Sequence, residues 1–216
     1  MASHRNVLIQ LQHGLSEERL GPYLDACHGR LGDALALYQW NARIAAAFWV
    51  DLAHAEVFIR NALDKQLASR IPAGQPWYNA LGGILSPEAL GAIAKAKGRV
   101  QAEGKPLSPG RVLAAISFGF WRFLLSGRYD RTLWRPCLHR AFPACHAPRR
   151  VVHSTMYQLH HLRNRIAHHE PIHGRDLKSD YEDLLLMVGW IDPIARQWVE
   201  TASTVLEGLS RRPASG

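Results

Sequence analysis

Acidic residues almost vanish from the middle of this chain. Across residues 122–169 the only carboxylate is Asp130, against nine arginines (122, 128, 131, 135, 140, 149, 150, 163 and 165) and seven of the twelve histidines. Over all 216 residues, 26 lysines and arginines outnumber 18 acidic residues, a formal charge of +8. Such an excess favours a polyanion as partner. Cysteine is scarce too. Cys27, Cys137 and Cys145 form an odd set with no Cys-x-x-Cys pair, which points to a reducing, cytoplasmic setting rather than a disulfide framework. Long apolar runs are missing: the best, 112–125, is interrupted by Arg122. The N-terminus also lacks a basic segment followed by an apolar run, so neither a membrane span nor a signal peptide is expected. Strand-like alternation is absent. Without a strand to precede it there is no glycine-rich phosphate loop, which excludes a P-loop nucleotide hydrolase.

What is present is helical periodicity, in a chain long enough to bury a core without disulfides or metal. Ser16 is placed as an N-cap with Glu17 and Glu18 behind it, opening a short helix to about residue 27 that Gly29 and Gly32 break. Residues 33–70 contain no breaker, and Leu35, Tyr38, Ala42, Ala45, Trp49, Leu52, Ile59 and Leu63 recur as a core seam, three or four apart once Glu56 is counted between Leu52 and Ile59. Further helices are expected from Ser86-Pro87 to about 103, from Ser108-Pro109 to about 125, and from Pro148 to the histidines at 168 and 169. Asp176 opens another, and Asp192-Pro193 opens the last, to about residue 209, while 126–147 reads as short helices and loops. The expected fold is all-α: an antiparallel helical bundle around the 33–70 and Pro148 helices. Residues 1–32 form an N-terminal segment, 33–210 a single domain with short helical insertions, and 211–216 a loose tail.

Residues 162–171 read Leu-Arg-Asn-Arg-Ile-Ala-His-His-Glu-Pro. Arg163 is permanently charged, Asn164 both donates and accepts, and His168 titrates near neutrality, a trio suited to handling phosphate. Asn164 and His168 share a helix face, whereas Arg163 and His168 lie about 140° apart and converge only if the last turn unwinds. Pro171 favours that by disfavouring α geometry at Glu170. Glu56 sits on the seam of the long helix, with Arg60 one turn later and Asn61 beside it. It either pairs internally with Arg60 or orients Arg163.

Arg128, Arg131, Arg135, Arg149, Arg150 and Arg165 are candidates for a face that tracks the phosphates of a polyanion. Trp121 and its neighbouring phenylalanines are either core or base-stacking groups. The string His169-Glu170-Pro171-Ile172-His173 matches a zinc-protease motif by letter, but Pro171 interrupts the helix that motif needs. Cys137, His139, Cys145 and His146 fit no common zinc spacing, so neither metal nor cofactor is expected.

Arg163-Asn164-x3-His168 resembles the signature of HEPN-fold ribonucleases: an arginine, a polar residue, and a histidine after a short gap. Taken with Ser117-Phe118-Gly119-Phe120-Trp121, Arg131-x2-Trp134-Arg135-Pro136 and Glu56-x3-Arg60-Asn61, the chain is similar from about residue 35 to 190 to the Abi-like abortive infection branch (AbiD/AbiF type) of bacterial phage defence. The resemblance implies a HEPN-like bundle and a metal-independent endoribonuclease acting in phage defence or as a toxin. Arg163, Asn164 and His168 would be catalytic, supported by Glu56, Arg60, Asn61 and His169. It further implies an RNA substrate, a cleft shared by a homodimer, and restraint by an antitoxin protein or RNA. Members that keep the fold and lose the chemistry imply the alternative, a non-catalytic RNA-binding or scaffold protein.

Overall fold

The computed structural model describes residues 4–214, and all regular structure in that range is helical. The last two residues of the expected tail lie outside the described residues. Eleven α-helices follow one another among the described residues: α1 (His4–Leu15), α2 (Glu17–Ala26), α3 (Leu31–Ala68), α4 (Trp77–Ala80), α5 (Pro87–Ala102), α6 (Pro109–Ala115), α7 (Phe118–Leu124), α8 (Arg149–Ala167), α9 (Leu177–Ile191), α10 (Pro193–Ala202) and α11 (Val205–Ser210). Short 3-10 and π turns fill 127–141. No described helix is long and apolar enough to cross a membrane.

The axis of the fold is α3, whose 38 residues extend roughly 57 Å. Gly29, at φ +77°, makes the turn before it, whereas Gly32 lies inside α3 rather than breaking the chain there. The buried stripe of α3 is Leu37, Ile44, Phe48, Leu52, Ala55, Ile59, Leu63 and Leu67. The expected seam therefore holds in the C-terminal half but is rotated in the N-terminal half, where Ala42 is exposed and Trp49 is 42% exposed. Residues 44–50 are apolar on every side, so periodicity alone could not choose a face. The neighbours choose it. Phe48 meets Tyr181 of α9 at 6.4 Å, Trp40 Nε1 donates to the Gly208 carbonyl at 2.8 Å, and a Cβ at Gly208 would come 2.8 Å from Ile44. Glycine at 208 is what lets α11 seat there.

Two expected helices are each divided. Ile116 and Ser117 are extended, separating α6 from α7. Ser203 separates α10 from α11, because its hydroxyl donates to buried Asp51 at 2.5 Å and accepts from the Val205 N–H at 3.2 Å. A side chain recruited by tertiary contact here competes with helix continuation.

Helices α3 and α8 are antiparallel: Asn41 meets residues 172 and 173, beyond the end of α8, while Trp49 and Glu56 meet Arg163 further back along it. The carboxamide oxygen of buried Asn41 accepts from the backbone N–H groups of Ile172 (2.8 Å) and His173 (3.0 Å). Beside this clamp, Arg175 grips Asp180, 5% exposed, through two hydrogen bonds of 2.8 and 2.6 Å. Replacing Asn41 by leucine leaves two buried donors unpaired. Urea unfolding should show a loss of about 3 kcal/mol, with Asn41→Asp losing less because it still accepts. A leucine variant with the wild-type midpoint would show that the clamp is dispensable.

Candidate functional site

The inward stripe of α8 is Val152, Met156, Leu159, Leu162 and Ile166, all buried as the periodicity predicts. Beside it runs a partly exposed polar sector of His153, His160, Arg163 and Asn164, with Tyr157 more exposed. At the C-terminal end the expected unwinding does not occur. The His168 N–H still donates to the Asn164 carbonyl at 3.0 Å, and the helix closes through His169 N–H to Ile166 O (3.0 Å) and Glu170 N–H to Arg165 O (2.7 Å). This pair of reversed bonds is a Schellman ending, with His169 in the left-handed position at φ +56° that glycine usually fills. Arg165 reinforces it by donating to the Pro171 carbonyl from Nε and Nη2, at 3.0 and 2.6 Å. Helix geometry therefore holds Arg163 and His168 in different sectors, about 140° apart.

Arg163 lies across to α3. Its guanidinium carbon is 5.4 Å from the Trp49 ring centroid, and its Nε is 3.8 Å from Glu56 Oε2. That Nε is buried without a hydrogen-bond partner among the described residues. A partly exposed pair at this length contributes less than about 1 kcal/mol, so its effect is mainly to aim the guanidinium. Burial pushes the Glu56 carboxyl up from its ordinary range; Arg163, and then Arg60, pull it partly back. Glu56 thus faces Arg163 more closely than its helical neighbour Arg60, while Asn61 is exposed.

Asn164 turns away from His168 and places Nδ2 3.2 Å from His160 Nε2, one turn earlier on the helix. The His160 ring packs 6.0 Å from Phe118, and a Cβ at Gly119 would approach its Nε2 to 2.9 Å, so the Ser-Phe-Gly stretch gives the imidazole its seat. Phe118, Phe120 and Trp121 are otherwise core, with Trp121 fully buried. His168 and His169 are both exposed. His169, but not His168, borders an open apolar crevice of about 810 Å³ formed by Arg19 and Tyr23 of α2, residues 38–50 of α3, and the end of α8.

The basic residues divide by what they touch. Arg149 donates to the Leu125 carbonyl at 2.7 Å and pairs with Asp130 at 3.3 Å; Arg135 pairs with the same carboxylate at 2.8 Å. Arg165 is engaged at the helix end, as described above. Arg128, Arg131 and Arg150 are exposed with no ion pair among the described residues. The four candidate zinc residues are not drawn together. Cys137 Sγ donates to the Leu133 carbonyl (3.3 Å), His139 Nδ1 sits 3.0 Å from the Trp134 carbonyl, Cys145 Sγ faces the Ala147 carbonyl (3.8 Å), and His146 is exposed. Sequence reasoning missed Arg122, Trp49 and His160. Only the last left a signal, its spacing of four from Asn164.

Two outcomes follow from this geometry. His169→Gly should raise the unfolding free energy by about 0.5–1 kcal/mol, since glycine takes a positive φ without a Cβ penalty; a destabilised variant would show that the His169 side chain holds the turn. Burial, followed by nearby arginines, also lowers the pKa values of His153, His160 and His173 from 6.5. Each binds its proton more weakly when folded, so its contribution is complete above the unfolded value and is lost as pH falls below about 6.5 toward the folded values. The raised carboxyls Asp51, Glu56 and Asp183 act with the opposite sign, nearer the carboxylate range. The urea midpoint should fall from about pH 7.5 to about pH 5.5, and a flat profile would contradict these burial effects. Comparison with protein-family models, curated proteins and solved structures gives no match for this chain.

Proposed function

We propose that this protein is a metal-independent HEPN-type endoribonuclease acting in phage defence or as the toxin of a toxin–antitoxin system. The observation that supports this best is the state of Arg163: a partly exposed guanidinium, aimed by Glu56 and Trp49, with an Nε that no described group satisfies. Such a group can stabilise the charge that builds on a phosphorane-like transition state. His168, exposed at the helix end, acts as general base on the ribose 2′-hydroxyl or as acid on the leaving 5′-oxygen. The exposed arginines at 128, 131 and 150 supply phosphate contacts.

One chain supplies one such histidine, in a different sector from Arg163, so the complete site needs a second copy. Ala42, Ala46, Trp49, Val50, Ala53 and Val57 form an exposed, mostly apolar stripe on α3 running beside Arg163, a surface that suits such a pairing. The separation of Arg163 from His168 also favours a second reading, a non-catalytic RNA-binding or scaffold protein that uses the same basic surface.

Incubation with total RNA in EDTA separates the two. The enzyme should give discrete fragments ending in 2′,3′-cyclic phosphate, and Arg163→Ala or His168→Ala should each lower cleavage by at least about hundredfold without changing the melting temperature. Val57→Asp, outside the motif, should yield a monomer that does not cleave. Full activity in the Arg163→Ala, His168→Ala double variant would remove the nuclease assignment and leave binding alone.

A further inference from the structure

A second cationic group lies along the same face of α8. Arg122 comes from α7, and its guanidinium carbon stands 5.5 Å from the centroid of the Tyr157 ring. Like that of Arg163, its Nε is buried with no hydrogen-bond partner among the described residues, and it makes no ion pair there. His160 lies between the two arginines and feels both charges. Tyr157 and Arg163 are six residues apart, about 9 Å along the helix axis. Between them His160 meets Asn164, the residue after Arg163, at 3.2 Å, and Gly119 leaves just enough room for the imidazole. Two undercommitted guanidinium groups on either side of a histidine, with a carboxamide beside it, are an unbalanced concentration of donors. Glu56, at the Arg163 end, is the sole carboxylate paired with either arginine among the described residues.

We propose that Arg122, His160 and Asn164 form a phosphate-binding subsite on the α7–α8 surface, adjoining Arg163, that takes a backbone phosphate of single-stranded RNA. The subsite rests on the nuclease reading only for the identity of the strand; its chemistry, recognition of a phosphate group by arginine and neutral histidine, stands apart from cleavage. Tyr157 and Gly119 hold Arg122 and His160 in place before the ligand arrives, which lowers the ordering cost of binding. Burial, then Arg122, Arg163 and His161, depress the proton affinity of His160, so a bound anion should raise it. The groups facing the ring are Arg122, Arg163 and the titratable His161, Asn164 on α8, and the uncharged Phe118 and Gly119 of α7.

The test uses the full chain and two probes, inorganic phosphate and a 2′-O-methyl RNA oligonucleotide that cannot form a cyclic phosphate. Arg122→Gln should weaken oligonucleotide binding about tenfold, the loss of one charge-assisted hydrogen bond. Arg43→Gln, an equal charge change at an exposed position on α3, should change it less than about twofold. The NMR titration of His160 in the wild type should move to higher pH in phosphate than in chloride, and that movement should disappear in Arg122→Gln. Equal effects of Arg122→Gln and Arg43→Gln, or a His160 titration indifferent to phosphate, would overturn the subsite. The wild-type titration decides the matter even if Arg122→Gln does not fold. A phosphate response combined with unchanged oligonucleotide binding would overturn RNA as the source and leave a small phosphorylated ligand. Because neither probe is cleaved, loss of binding in an RNA-inactive protein would keep the subsite and remove the nuclease.

Discussion

One carboxamide ties the two principal helices together. Asn41 on α3, itself buried, accepts from two successive backbone donors just beyond α8. Because each unsatisfied N–H would cost about 1–3 kcal/mol, the chain after Pro171 is fixed against α3 rather than free to reposition. The antiparallel course of α3 and α8, the packing of Trp49 under Arg163, and the opposition of Glu56 to Arg163 are all consistent with that single registration.

The end of α8 is fixed a second time by its own backbone. Reversed bonds at residues 165–170, with Arg165 capping Pro171, keep the helix regular through Ala167 in spite of the proline. The proline lies far enough past the last helical turn to disturb nothing in it. His169 bears the left-handed conformation instead, at a cost of about 1–2 kcal/mol that the surrounding bonds offset. Arg163 and His168 therefore stand in different sectors of α8. His160, about one turn before Arg163, feels the charge of that guanidinium.

The excess of arginine serves two ends that composition cannot separate. Arg149, Arg165 and Arg175 hold carbonyls or carboxylates of the fold itself. Asp130, the lone acid of the basic segment, takes two arginines at once. Within residues 122–169, the arginines without an ion pair among the described residues are Arg122, Arg128, Arg131, Arg140 and Arg150.

Helix content, the proline-led starts of α5 and α10, the Ser16 and Asp176 caps and the buried stripe of α8 were all legible in the sequence, because each depends on contacts within one or two turns. The angle of about 140° between Arg163 and His168 followed from helix geometry alone, but the unwinding that Pro171 favoured in the sequence does not occur. Tertiary structure decided which face of α3 is core, where α6 and α11 separate from their neighbours, and which partners Asn164, Glu56 and Arg122 meet. Where a helix is apolar all round, its own periodicity cannot select a side, and a polar side chain with several partners in reach is settled by whichever one packing brings close.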